Sequence, residues 1–484
     1  MCSSDLQCSF SSNCDFIQIG GLVGANLGWI TGSSLPNVGQ SVATGSGTYA
    51  TGNVSVGSGG TAGGLVGQNQ GVIDKALAGG TVTGAAGLAG INSDSNRETT
   101  LGGFVGQNNG QITNSTATGN VGSAVAYLQV GGFAGHSGGT IGSSHATGNV
   151  VAGNNSGAGG FAGDSASSDY TCHSCTQGVG FNNDGVVANS TATGSVTVGS
   201  VSAAGGFAAF TGDITNSTAS GAVTGGADSL LGGFAAVVPT ETLIGNSQAS
   251  GAVTSTGANT WLGGFAAVNA GFISLSSSAS GNVLGTSGSV VGGLVGVNIG
   301  QITGTSTLSG QTVSVSGKGN IVGGLVGANF GTVVSSTANG NVTGGAGNLM
   351  GSLVGANGNI DNVAPNQVFG STFPVGTVFN STGNGSVNGN SGPQIGTADL
   401  KKMPTAPLIV QQCNDTLCEI LTNPKLIAST SVDLPDDVFA TALILSLLTT
   451  DNKQTQAAIG DALIAIAPAP AAGQGGQGQG GGQP

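Results

Sequence analysis

The sequence predicts an all-β fold, a parallel β-helix of about eleven coils followed by a small helical segment and a disordered tail, and three observations carry that expectation. Glycine supplies 95 of the 484 residues, while charged side chains make up 6% and apolar ones 38%. That balance fits neither a charged disordered chain nor an average enzyme, so something regular must bury the apolar residues. A glycine-rich pattern then recurs along most of the chain, and a two-residue alternation follows nearly every copy.

The pattern is Gly-Gly-Leu/Phe-Val/Ala-Gly/Ala, beginning at Gly20, Gly63, Gly102, Gly131, Gly159, Gly205, Gly232, Gly263, Gly292 and Gly323, with Gly351-Ser352-Leu353-Val354-Gly355 as an eleventh copy. Successive copies are usually 27 to 31 residues apart, and three intervals are longer. In the block that follows, Ser115, Ala117, Gly119 and Val121 alternate with Thr116, Thr118 and Asn120, as in a strand with one buried face. Ile112 stands out of phase with Ser115, which requires a corner at Thr113-Asn114. One such unit is too short to enclose a core, but stacked coils share one. Leu22, Leu65, Phe104, Phe133, Phe161, Phe207, Phe234, Phe265, Leu294, Leu325 and Leu353 should then form a buried ladder. Asn26, Asn69, Asn108, Asn269, Asn298, Asn329 and Asn357 fall six residues after each first glycine and suit a structural corner with stacked amides.

These residues resemble the motif family called GLUG, which Gly64-Leu65-Val66-Gly67 and Gly324-Leu325-Val326-Gly327 match closely. The resemblance covers residues 20 to about 357, while the Phe/Ala copies such as Gly206-Phe207-Ala208-Ala209 depart from the core pattern. It implies the repeat region of a bacterial exoprotein similar to filamentous haemagglutinin, or the non-catalytic trunk of a secreted peptidase whose catalytic domain lies upstream. Secretion or cell-surface display, adhesion to a host or biofilm surface glycan or protein, and a dedicated outer-membrane secretion partner are what the resemblance implies.

Charge narrows the partners. Twenty acids face seven bases, giving a net charge of −13, and the bases are scattered, so no row of phosphates could be neutralised and nucleic acid is not expected. The longest apolar run, Val438 to Leu448, is too short to span a bilayer. Within the repeats the cations are Lys75, Arg97 and Lys318, and no metalloprotease sequence occurs, so no catalytic residue and no cofactor are expected.

Cysteines form three local pairs, Cys8/Cys14, Cys172/Cys175 and Cys413/Cys418, suggesting disulfides in an oxidising compartment. The insertion 164–184, containing Cys172-His173-Ser174-Cys175, lacks a second cysteine pair to complete a zinc site, so no metal is expected there. With Asp169, Tyr170, His173 and Asp184 it is the first candidate for a recognition loop. His136 and His145 should be exposed variants of polar repeat positions. An outward row including Thr116, His145, Thr191, Thr218, Gln248, Ser278 and Thr337 offers a second surface, for carbohydrate or less readily ice.

The ends read differently. Met1 to Leu6 is what the adapter sequence GTG-TGC-TCT-TCC-GAT-CT encodes, so residues 1–6 are expected to be an artefact of a gene truncated upstream, with 7–19 a partial leading coil. The repeat solenoid should run over 20–390 and an irregular connection over 391–432. Helix-start chemistry at Asp433 and Asp451 predicts two helices within 433–467, able to cap the open end of the solenoid. Residues 468–484 are a Gly/Gln/Pro tail expected to be disordered.

Overall fold

A computed structural model describes residues 17–32, 47–87, 98–164, 185–240, 242–274, 276–358, 376–400 and 403. All regular structure among them is β, in five parallel sheets of 11, 12, 11, 11 and 10 strands, to which each turn of the chain contributes one strand apiece. The coil from Thr99 to Gly122 is representative. Thr99–Gly102 enters the first sheet, Val105–Asn108 the second, Gln111–Thr113 the third, Thr116–Ala117 the fourth and Val121–Gly122 the fifth. Equivalent residues pair from coil to coil in register, for example Ile112 with Ile73 below and Ile141 above. At about 4.8 Å per coil the stack is on the order of 50 Å long.

Each coil encloses two cores rather than one. Inward residues of the second, third and fourth sheets pack with the Leu/Phe ladder into one cluster, which includes Val105, Ile112 and Ala117 around Phe104. Those of the first and fifth sheets, such as Leu101 and Val121, form a second. The glycine pair lies between these lobes. A Cβ on Gly102 would fall 1.8 Å from the Val105 carbonyl oxygen of its own turn, and one on Gly103 would fall 2.1 Å from the Gly132 carbonyl oxygen of the next coil. No side chain fits either position of this coil, which is why the pair marks ten of the eleven boundaries between lobes; in the last copy Ser352 takes the second position.

Six phenylalanines from Phe104 to Phe265 stack with ring centroids 4.6–4.8 Å apart and interplanar angles of 1–10°. The strand spacing itself dictates that separation, which falls within the range of favourable offset stacking. Five of the six are followed by Ala, whereas Leu65, Leu294, Leu325 and Leu353 are followed by Val. A larger ladder residue thus accompanies a smaller neighbour in the same cluster, and the Phe/Ala copies that depart from the motif pattern keep its volume. Phe104-Val105, where the stack begins, is the exception.

Polar ladders run beside the apolar ones. The Asn26 Nδ2 donates to Asn69 Oδ1 at 2.8 Å, Asn69 to Asn108 at 2.8 Å and Asn108 to Ser137 Oγ at 3.1 Å. A second run joins Asn269, Asn298, Asn329 and Asn357 at 2.8–3.0 Å. The inward serines Ser115, Ser144, Ser190, Ser217 and Ser247 each accept from the backbone N–H of the coil below and donate to a carbonyl two residues back in their own coil. These serine hydroxyls are therefore paired without charge. The expected corner appears as a left-handed residue, Asn114 at φ 49°, with Asn189, Asn216 and Asn246 in equivalent places at 49–52°.

Several expectations change. Ten of the eleven ladder residues are buried, but Leu22 is 46% exposed, because among the described residues its coil has a neighbour on one side only. The alternating block is not one strand: Thr116–Ala117 and Val121–Gly122 belong to different sheets, and a corner at 118–120 preserves the in/out alternation while breaking the strand. Within the connection expected to be irregular, Ile395–Leu400 forms a strand that pairs with Val354–Gly358 as the twelfth member of the second sheet. The predicted helices in 433–467, the tail 468–484, residues 1–6 and most of the leading coil lie outside the described residues. No helix among the described residues is long and apolar enough to cross a membrane.

Candidate functional site: the groove between the lobes

Because the chain turns sharply at each glycine pair, the outer side of the first sheet faces the outer side of the second along a narrow groove whose walls touch, as where a Cβ on Gly157 would lie 3.8 Å from the Ala209 Cβ. Gln18 Nε2 donates to Gln68 Oε1 across it at 2.7 Å, and Gln129 Nε2 to Asp164 Oδ2 at 3.4 Å. One wall is the column Gln18, Thr61, Thr100, Gln129, Gly157, Ala203, Leu230, Trp261, Val290, Ile321 and Leu349, fixed by strand register. The other wall runs through Gln68, Gln107, His136 and Asp164 to Val237, Val268 and Val297. Both walls change character near the middle of the rod, from amides and hydroxyls to branched and aromatic apolar side chains.

The polar half is the candidate site. His136 was expected to be exposed, but it is only 5% exposed, with Nδ1 3.5 Å from Asp164 Oδ2. Its position faces the groove, where the opposite wall shields it. Loss of surrounding water first, and the Asp164 carboxylate second, raise the Glu98 carboxyl to about 7. Glu98 nevertheless keeps an exposed surface, so water screens part of the first effect, whereas the like-charge neighbour persists. Amides, hydroxyls, an imidazole and two carboxylates therefore gather along one seam between the sheets, a donor and acceptor set suited to polar ligands.

Glu98 and Asp164 each belong to one of the long inter-repeat intervals, Gly63 to Gly102 and Gly159 to Gly205. Glu98 follows the first excursion, residues 88–97, and Asp164 precedes the second, residues 165–184. The candidate recognition residues Asp169, Tyr170, His173 and Asp184, and the cysteines Cys8, Cys14, Cys172, Cys175, Cys413 and Cys418, lie outside the described residues. The rod continues unbroken past the insertion, since Thr140–Gly142 pairs directly with Val186–Ala188 and Ala162–Asp164 with Ala208–Phe210.

The outward hydroxyl row is less uniform than its sequence suggested. Thr116 is 7% exposed, while His145 is exposed and its Nδ1 lies 2.7 Å from Thr191 Oγ1. The groove itself escaped sequence reasoning, although a signal was present. Gln107, His136 and Asp164 occupy the same place five residues after their first glycines, and that column turns apolar from Phe210 onward.

No curated protein and no solved structure matches the chain. A family model described as the GLUG motif matches residues 98–122, which is one coil from Glu98 in the groove wall through all five sheets to Gly122, and this stretch of the chain is similar to that motif.

Proposed function

We propose that this chain is a rigid, non-catalytic presentation rod from a secreted or cell-surface bacterial adhesin-like exoprotein. Its recognition element is the insertion 164–184 together with the polar half of the groove beside it, and its partner is a host or biofilm surface glycan or protein. The observation that carries this reading is the pairing of the coils that flank the insertion. The coils on either side pair in register, so the 20 residues 165–184 take no part in the coil-to-coil pairing that builds the rod. The GLUG motif and the solenoid support a repeat rod, and the groove chemistry supports a polar ligand.

Deleting Ser165 to Asp184 tests the proposal. The β signal in circular dichroism should persist while attachment to host-cell or biofilm surfaces falls at least several-fold. Unchanged attachment by a folded deletion variant would refute the assignment.

A further inference from the structure

On the third sheet, Leu243–Gly245, Phe272–Ser274 and Gln301–Thr303 occupy three successive coils. Gly245 pairs with Ser274 and Thr303 with Val334. Between the second and third of these strands, however, the ladder among the described residues runs through Phe272↔Gln301 and Ile273↔Ile302 and stops short of Ser274 and Thr303. An extra residue is the cause: Ile273 and the inward Ser277 are four positions apart, whereas Ile112 and Ser115 are three apart. Ser277 turns back on Ser274, its N–H and Oγ donating to the Ser274 carbonyl oxygen at 3.2 and 2.8 Å. An inserted residue of this kind interrupts a ladder locally and re-aims the side chains beside it. The result is a depression of about 250 Å³ lined by Leu243, Phe272, Ile273, Ser274, Gln301 and Thr303.

Its lining is apolar on one side and polar on the other. Phe272 is 44% exposed and Leu243 half-buried, while Gln301, Ser274 and Thr303 bring an amide and two hydroxyls. The Thr303 Oγ1 is buried without a hydrogen-bond partner. The same tripeptide, Gln-Ile-Thr, forms Gln111–Thr113, where Thr113 Oγ1 donates to Asp74 Oδ1 of the coil below at 2.8 Å. The interrupted ladder thus leaves open a hydroxyl whose counterpart is satisfied, and buried polar groups seldom lack a partner. No lining residue is charged. The nearby Asp213 carboxylate accepts the Leu243 N–H at 2.8 Å.

We infer that this depression is a subsite for one neutral hexopyranose residue of a glycan. It is separate from the insertion and from the seam, lying in another sheet and three coils beyond Asp164. A pyranose carries C–H groups on its faces and hydroxyls around its rim. The C–H face packs on Phe272 and Leu243, and the rim hydroxyls meet Gln301, Ser274 and Thr303, all of which can donate and accept. The volume, roughly that of eight waters, holds one such ring. An apolar peptide side chain would cover Phe272 but leave the three polar groups unpaired. A uronic or sialic acid would meet the Asp213 charge.

Affinity electrophoresis of the full chain tests the assignment, in gels containing a soluble neutral glucan, galactan or mannan, with a polyuronate gel alongside. At least one neutral polysaccharide should retard the chain. Phe272→Ala should weaken that binding about tenfold and Phe272→Tyr should retain it, with the β signal in circular dichroism unchanged in both. Thr303→Val should weaken binding several-fold without lowering the melting temperature; a lower melting temperature with unaltered binding would contradict the site. Deleting 165–184 should leave this retardation intact, so that the insertion and the Phe272 subsite fail separately. Retardation by none of the neutral polysaccharides, retardation by the polyuronate only, loss of retardation on that deletion, or unchanged retardation of Phe272→Ala overturns the inference.

Discussion

Volume compensation along the ladder can be tested at Phe265-Ala266, where the phenylalanine stack gives way to Leu294-Val295 in the next coil. Phe265 stacks on Phe234 at 4.8 Å and both Phe265 and Ala266 are fully buried. Phe265→Leu removes one aromatic contact and leaves a partial void, costing about 1–3 kcal/mol. Ala266→Val alone forces two methyl groups against Phe265, also costing about 1–3 kcal/mol. Together they recreate the Leu-Val pair of the neighbouring coil, so the double variant should be at least about 1 kcal/mol more stable than the sum of the singles. Because repeat arrays can unfold in parts, the readout should be local: hydrogen exchange of the backbone amides in the coil containing Phe265, with guanidinium unfolding beside it. Strict additivity would show that the alternation of Phe-Ala and Leu-Val copies has no packing basis.

Other predictions follow from single sites. Val201 holds φ 56° in a corner occupied elsewhere by Asn155 and Asn259, so Val201→Asn should stabilise the chain by about 1 kcal/mol, and a lower melting temperature would refute the strain. Val238 interrupts the amide ladder and leaves the buried Asn269 Oδ1 without a partner. Val238→Asn should supply a donor and gain about 1 kcal/mol, measured as an upward shift in unfolding midpoint. Phe133→Asp would place an unpaired charge in a fully buried ladder position and should unfold its coils; unchanged thermal stability would sink the register. The raised Glu98 carboxyl, at about 7 and well above the ordinary carboxylate range, binds its proton more tightly when folded. Its contribution is therefore fully present below about pH 4.5 and is lost as pH rises through about 7. Glu98→Gln should flatten that part of the stability profile, and an unaltered profile would contradict the assignment.

Legibility followed the repeat. The solenoid, ten buried ladder residues, the amide rows and the Asn114 corner were all readable, because each is a local rule restated in successive coils. Leu22 was misread for lack of a neighbour, which periodicity does not reveal. His136 was misread because its burial depends on the facing wall, set by the angle between two sheets rather than by the alternation within one. The two-lobed cross-section arises from the sharp turn at Gly102-Gly103, whose steric demand becomes visible only with the adjacent coil in place. The groove therefore had to await the structure, although its change from Gln/His/Asp to Val could have been read down the aligned repeats.

The central claim is that the rod presents a surface and does no chemistry, and the groove is where that claim is most exposed. A raised carboxyl at Glu98 beside Asp164 resembles the pairing used by general acids in glycoside hydrolysis. The decisive measurement is to incubate the intact chain with host and biofilm polysaccharides from pH 5 to 8, recording bound polysaccharide and newly formed reducing ends together. The account predicts that no reducing ends form, whether or not a given polysaccharide binds; their release by the intact chain, abolished by Glu98→Gln, would contradict it.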